Sequence, residues 1–124
     1  MSDELPPMRL GYSLTELRRT LVEAVLRGEK TATAGLRSDY ERLPEAGERC
    51  LLLGVDDDPV AVLETTDVRV LRVADVDLSF ARDEGEGFET VDDWRHAHEE
   101  FWADQEIDDD TLIVAERFTV VERL

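Results

Sequence analysis

Apolar and polar positions recur along the chain with two different periods, and the changes of period mark its elements. Leu14, Leu17, Leu21, Ala24 and Val25 return at three- and four-residue intervals, which places them on one face of a helix. Ser13-Leu14-Thr15-Glu16 ahead of them reads as a capping box, with Ser13 as N-cap and Glu16 at N3. Gly28 ends the run as a C′ residue, so the pattern predicts a helix over 13–27. Residues 29–35 are small-sided and β-tolerant and read as a strand or tight loop. Residues 36–47 are polar, with a helical turn expected at 38–42 and a turn at Pro44/Gly47. Residues 49–55 and 60–73 are apolar or alternating and predict two strands. Asp56-Asp57-Asp58-Pro59 turns between them, which makes the pair a hairpin. Residues 76–82 predict a short helix. Thr90-Val91-Asp92-Asp93 caps a second long one, with Val91, Trp94, His98, Phe101 and Trp102 on one side. After a turn at 108–110, residues 112–121 form the last strand.

The predicted order is helix, strand, hairpin, short helix, helix, strand. Hairpins and irregular loops join the strands, not repeated βαβ units. This favours an α+β fold with a small, mostly antiparallel curved sheet or barrel and flanking helices. At 124 residues the chain is expected to be one domain over 1–124, with residues 1–11 as an extended N-terminal segment. No apolar run is long enough to span a membrane, so no membrane partner is expected. The first ten residues lack the basic and apolar regions of a secretory signal, so a cytoplasmic protein is expected. The single cysteine, Cys50, precludes an internal disulfide and reads as a small buried apolar residue.

Charge alters this picture in two ways. Thirty-one acids against 14 bases give a net charge of −17. Such a field repels phosphate backbones, so no long duplex DNA partner is expected. Thirteen of the 14 bases are arginine, and Lys30 is the only lysine. Unlike a guanidinium, its amine can give up a proton when buried.

The chemistry-bearing residues gather around that lysine. Lys30 and Thr33 converge if the segment bends tightly, and a neutral lysine can accept the proton of a threonine nucleophile. Glycines on both sides of a carboxylate in Asp83-Glu84-Gly85-Glu86-Gly87 permit unusual backbone angles and close ligand approach. Glu64 interrupts the apolar run at 61–63, and Lys30 is its obvious cationic partner. The plainer readings are a strand start for Lys30 and Thr33, an acidic surface loop at 83–87 and a solvent-facing Glu64. His96 and His98 lie two apart on a helix and share no face, so no metal site is expected. His98, on the apolar side, reads as a hydrogen-bonded, half-buried histidine. Trp94, Phe101 and Trp102 read as core. No glycine-rich phosphate loop is present, and no cofactor is expected.

Several blocks together resemble the ASCH domains. These are Gly28-Glu29-Lys30-Thr31-Ala32-Thr33-Ala34, residues 59–68, Phe80-Ala81-Arg82-Asp83-Glu84-Gly85-Glu86-Gly87, residues 94–98 and residues 116–121. The resemblance covers roughly residues 12–122. It implies a PUA-like β-barrel and an RNA-related role. Some members hydrolyse the acetyl amide of N(4)-acetylcytidine, and others are described as ribonucleases. The Gly-x-Lys-x-x-Thr pattern of the amidohydrolase branch maps onto Gly28, Lys30 and Thr33, and its later glutamate onto Glu84, with Glu86 a near alternative. The resemblance thus implies Lys30, Thr33 and Glu84 as catalytic residues, with backbone N–H groups near Gly28 or Gly85 for an oxyanion. Glu64, Arg37, Glu86 and Gly28 are expected to bind substrate. Gly35 stands where the family often has Arg, and Arg37 is the residue that looping back would bring there. The expected ligand is a small nucleoside-like molecule or short RNA. Amidohydrolase, ribonuclease and non-catalytic nucleotide-binding module all remain open.

Overall fold

In a computed structural model of the chain, which describes residues 5–124, one curved sheet is covered by three helices. Its strands are β1 (Pro7–Met8), β2 (Ala32–Leu36), β3 (Arg49–Leu53), β4 (Pro59–Arg72) and β5 (Leu112–Arg123), in the order β1-β3-β4-β5-β2. Only β1 and β3 run parallel. Register shifts in β4 at Val62/Leu63 and Thr65/Asp67 bend the long β4–β5 ribbon. The expected antiparallel α+β architecture is present, but the barrel does not close, because β1 and β2 do not pair. β1 is two residues long and Pro7 has no N–H to donate, so it is a poor partner for a further strand.

Helix α1 (Glu16–Leu26) covers one face of the sheet, packing Leu21, Val22 and Val25 against Leu52, Leu63 and Phe118. Helices α2 (Leu78–Asp83) and α3 (Val91–Phe101) cover the other, where Phe80, Trp94 and Trp102 pack on Leu36, Ile113 and Ala115. A fully buried leucine such as Leu52 contributes ~2 kcal/mol to this packing. Thr90 caps α3 as the sequence predicts, in a complete capping box with Asp93. Helix α1 starts later than its sequence suggests. Leu14 has a φ of 62° and donates its N–H to Val55 O, so the chain is still turning there. Thr15, not Ser13, is the N-cap, and its hydroxyl accepts from Arg18 N at 3.1 Å. The turn foreseen at 38–42 is a 3-10 turn at Arg37–Asp39. The segment before α1 is not merely extended, since it supplies β1; residues 1–4 of it lie outside the described residues.

Buried within α1 is an arginine, Arg18, that the helical pattern does not reveal. Its guanidinium donates to Leu10 O, Gly11 O and Gly54 O and to Asp57 Oδ1 at 2.6 Å. This ties the segment after β1 to the β3–β4 turn and fixes one wall of the cavity described next.

Candidate functional site

A cavity of about 270 Å3 opens at the edge of β2, between α1 and α3. Lys30, Thr33, Glu84, Glu86 and His98 line it, with Arg9 and Leu10 from the segment that Arg18 holds. Lys30 is only 2% exposed. Its Nζ donates to Ala32 O at 2.9 Å, Glu84 O at 3.1 Å and Glu86 Oε2 at 3.2 Å. Three acceptors match the three N–H donors of an ammonium. Burial has therefore surrounded this amine with partners instead of stripping it of them.

Backbone geometry brings the acidic loop onto Lys30. Thr31 N donates to Asp83 O at 2.8 Å. Gly85 has a φ of +69°, and a Cβ there would sit 2.5 Å from Lys30 Cα and Glu29 O. Only glycine permits that approach. It delivers both carboxylates flanking it, so Glu84 and Glu86 both face the lysine.

Glu84 is 1% exposed. Its Oε2 accepts from Trp94 Nε1, and its Oε1 lies 3.8 Å from Lys30 Nζ. Burial pushes its carboxyl up to about 7, against the opposing pull of Lys30 and Trp94. His98 Nε2 is 3.7 Å from Glu84 Oε2. Trp94 O can only accept, so the 2.8 Å contact with His98 Nδ1 places the ring proton on Nδ1. Burial lowers the histidine's pKa, which favours the neutral ring, stacked on Trp94 with centroids 4.1 Å apart. Trp94 is thus core, as its spacing predicts, and also the donor that orients Glu84. No spacing rule exposes that second role, because Glu84 and Trp94 meet only through the fold.

Thr33 faces the cavity from β2, and its hydroxyl has no hydrogen-bond partner among the described residues. The structure therefore brings Lys30, Thr33, Glu84 and Glu86 to one cavity. It does not bring the other sequence candidates there. Glu64 pairs with Arg49 across the β3–β4 ladder at 3.1 Å, with both side chains reaching solvent; it is not the partner of Lys30. Gly28, with φ +82°, sits at the C′ position of α1 in a separate depression that shares only Lys30 with the cavity. The N–H groups of Gly28 and Gly85 donate to Val25 O and Arg82 O, so neither is free for an oxyanion. Arg37 does not loop back: its Nη1 donates to Tyr40 O at 3.1 Å. Tyr40 itself covers Gly35, where a Cβ would meet its hydroxyl at 2.6 Å.

Comparison with known proteins agrees with this architecture. No curated protein matches the sequence. The crystal structure of protein EF3133 from Enterococcus faecalis V583 is 28% identical with a TM-score of 0.87, covering 100% of this chain and 84% of that one. The structure of an ASCH domain from Lactobacillus crispatus JV V101 is 26% identical with a TM-score of 0.85, covering 97% of this chain and 81% of that one. The family model of the ASCH domain matches residues 8–122, a span that takes in β2 to β4, all three helices, the whole lysine cavity and all but an end residue of β1 and of β5, and the chain belongs to that family.

Proposed function

We propose that the cavity is the active site of a small amidohydrolase whose substrate is an acylated nucleoside or a similar small amide. The observation that carries this reading is the buried Lys30–Glu84 pair, with Glu86 bonded to the lysine at the exposed rim, beside the unpartnered hydroxyl of Thr33. A volume of about 270 Å3 suits a metabolite and lies just below the usual range for small-molecule sites. A free nucleoside carries no phosphate, so the acidic surface does not repel it.

In this reading Thr33 Oγ attacks the amide carbonyl carbon. Its proton passes to the Glu84 carboxylate, which at about 7 is poised to take and return one. The Lys30 ammonium stabilises the oxyanion of the tetrahedral intermediate, exchanging its contact with Glu86 for one with the new oxygen. The C–N bond then breaks, and Glu84 protonates the departing amine. Water, deprotonated by Glu84, cleaves the remaining ester on Thr33 and frees the acid. Lys30 therefore acts by charge, and Glu84 replaces it as the base, since the amine already satisfies three acceptors.

The test is turnover of N(4)-acetylcytidine, with cytidine and acetate followed by chromatography. Wild-type protein is expected to release both, and Lys30→Ala neither. Turnover unchanged in Lys30→Ala contradicts the proposal.

One observation favours a second reading, a nucleotide-binding module. Arg9 stands exposed at the cavity rim with no acidic partner among the described residues. Most other arginines are engaged, as are Arg72 with Asp75 and Asp110, and Arg95 with Glu99 and Asp109. That reading requires single-stranded RNA to bind at low salt and to be released steeply as salt rises. A ribonuclease of the two-histidine kind finds no support, since His98 alone lines the cavity.

A further inference from the structure

The open seam of the sheet holds a second cavity, of about 320 Å3, that the chemistry above does not use. Its floor is a buried carboxylate. Glu116 of β5 is 6% exposed, and its Oε2 accepts from Thr65 Oγ1 at 2.7 Å. Its Oε1 has no partner among the described residues. Tyr40 forms a wall, seated over Gly35 and braced through its carbonyl by Arg37. Burial pushes the Tyr40 hydroxyl up to about 12, so it stays neutral.

Two features place this cavity beside the first. Glu116 is the direct cross-strand partner of Thr33, so the two side chains leave the same face of the sheet, with Cβ atoms roughly 5 Å apart. The walls are also continuous: Pro6, Pro7 and Met8 line the second cavity, and Arg9, Leu10 and Gly11 line the first. Glu116 is thus the polar group directly across the strand pair from Thr33 on that face.

We infer that Glu116, oriented by Thr65 and roofed by Tyr40, is a recognition subsite that accepts a hydrogen bond from an N–H or O–H donor of a neutral ligand whose reacting end lies at Thr33. This deepens the hydrolase reading, on which the choice of a nucleoside as probe rests. The donor is either an N–H of the base or a hydroxyl of the sugar, since both offer a hydrogen to a carboxylate oxygen. With no buried polar side-chain atom left unpartnered among the described residues, Oε1 is the oxygen that stays open to the cavity and free to accept from a ligand.

Calorimetric titration of cytidine into wild type and Glu116→Gln tests this. If the Gln oxygen keeps the bond from Thr65, the atom facing the seam changes from acceptor to donor. Binding is then expected to weaken at least about tenfold, the usual consequence of losing a hydrogen bond to a charged group. Equal affinity for the two proteins overturns the subsite and leaves hydrolysis at Thr33 untouched. Glu116-dependent binding without any turnover of N(4)-acetylcytidine sustains the subsite and contradicts the hydrolase. No binding to wild type at about 10 mM cytidine, some ten times the top of the ordinary KM range, overturns the subsite. Deoxycytidine and free cytosine, titrated alongside, separate a sugar hydroxyl from a base N–H as the donor. If Glu116→Gln does not fold, amide shifts in wild type decide. Cytidine is expected to move the signals of Thr65 and Glu116, and shifts confined to His98 and Glu86 overturn the inference.

Discussion

Glu84 is the residue on which the proposed chemistry turns, and its environment makes a prediction independent of any substrate. Burial raises its pKa to about 7, from the 4.5 of a solvated glutamate. Between those values the folded protein holds a proton that the unfolded chain releases. Its contribution to stability is therefore fully present below about pH 4.5 and is lost as pH rises through about 7. The loss amounts to about 3 kcal/mol across the window. Neutral His98 acts in the opposite sense at low pH, because its pKa is lowered. The comparison that isolates Glu84 is urea denaturation of wild type and Glu84→Gln from pH 4.5 to 7.5. The variant keeps an acceptor for Trp94 and is expected to lose this part of the slope. Parallel curves for the two proteins would show that Glu84 carries no raised pKa. The same titration predicts turnover rising through about pH 7, as the carboxylate forms.

Among the elements, the one most exposed to test is the segment between β1 and α1. It has almost no secondary structure of its own, yet through Arg9, Leu10 and Gly11 it walls the lysine cavity. Arg18 holds it through Leu10 O and Gly11 O, with Gly54 O and Asp57 on its other side. Arg18→Met keeps the apolar stem but leaves those buried carbonyls without donors. It is expected to cost about 3 kcal/mol in urea denaturation, with a matching rise in KM as the wall loosens. A change below about 0.5 kcal/mol, the scale of an ordinary surface substitution, would show that the segment is held by other means. This element also marks the limit of what the sequence reveals. The helices and long strands are legible because periodic burial writes itself into local spacing. Lys30 and Thr33 stand out through a lone lysine and a hydroxyl three residues on, Glu86 as a glycine-flanked acid, and Glu84 only through the family resemblance. Arg18, Trp94 as a donor and the Glu116–Thr65 pair are not legible, since each works through a contact between residues distant along the chain. Glu64 misleads for the same reason: an acid in an apolar run needs a cation, and register supplied Arg49 in place of Lys30.

At the scale of the whole molecule, an incompletely closed sheet is what makes a site possible. A closed five-stranded barrel of this size would fill its interior with side chains. Here the failure of β1 and β2 to pair leaves a seam, and the cavities lie along it. The chain's net charge of −17 disfavours polyanions and admits neutral metabolites. Fold, charge and cavity size are the features that support the proposed small uncharged substrate at the edge of β2. The most direct measurement is the turnover rate of N(4)-acetylcytidine by wild type, Thr33→Ser and Thr33→Ala, each confirmed folded by its thermal transition. The account predicts that Thr33→Ser retains measurable activity, while Thr33→Ala loses at least about a hundredfold in kcat. Thr33→Ala turning over at the wild-type rate would contradict it, because no nucleophile would then be needed at that position.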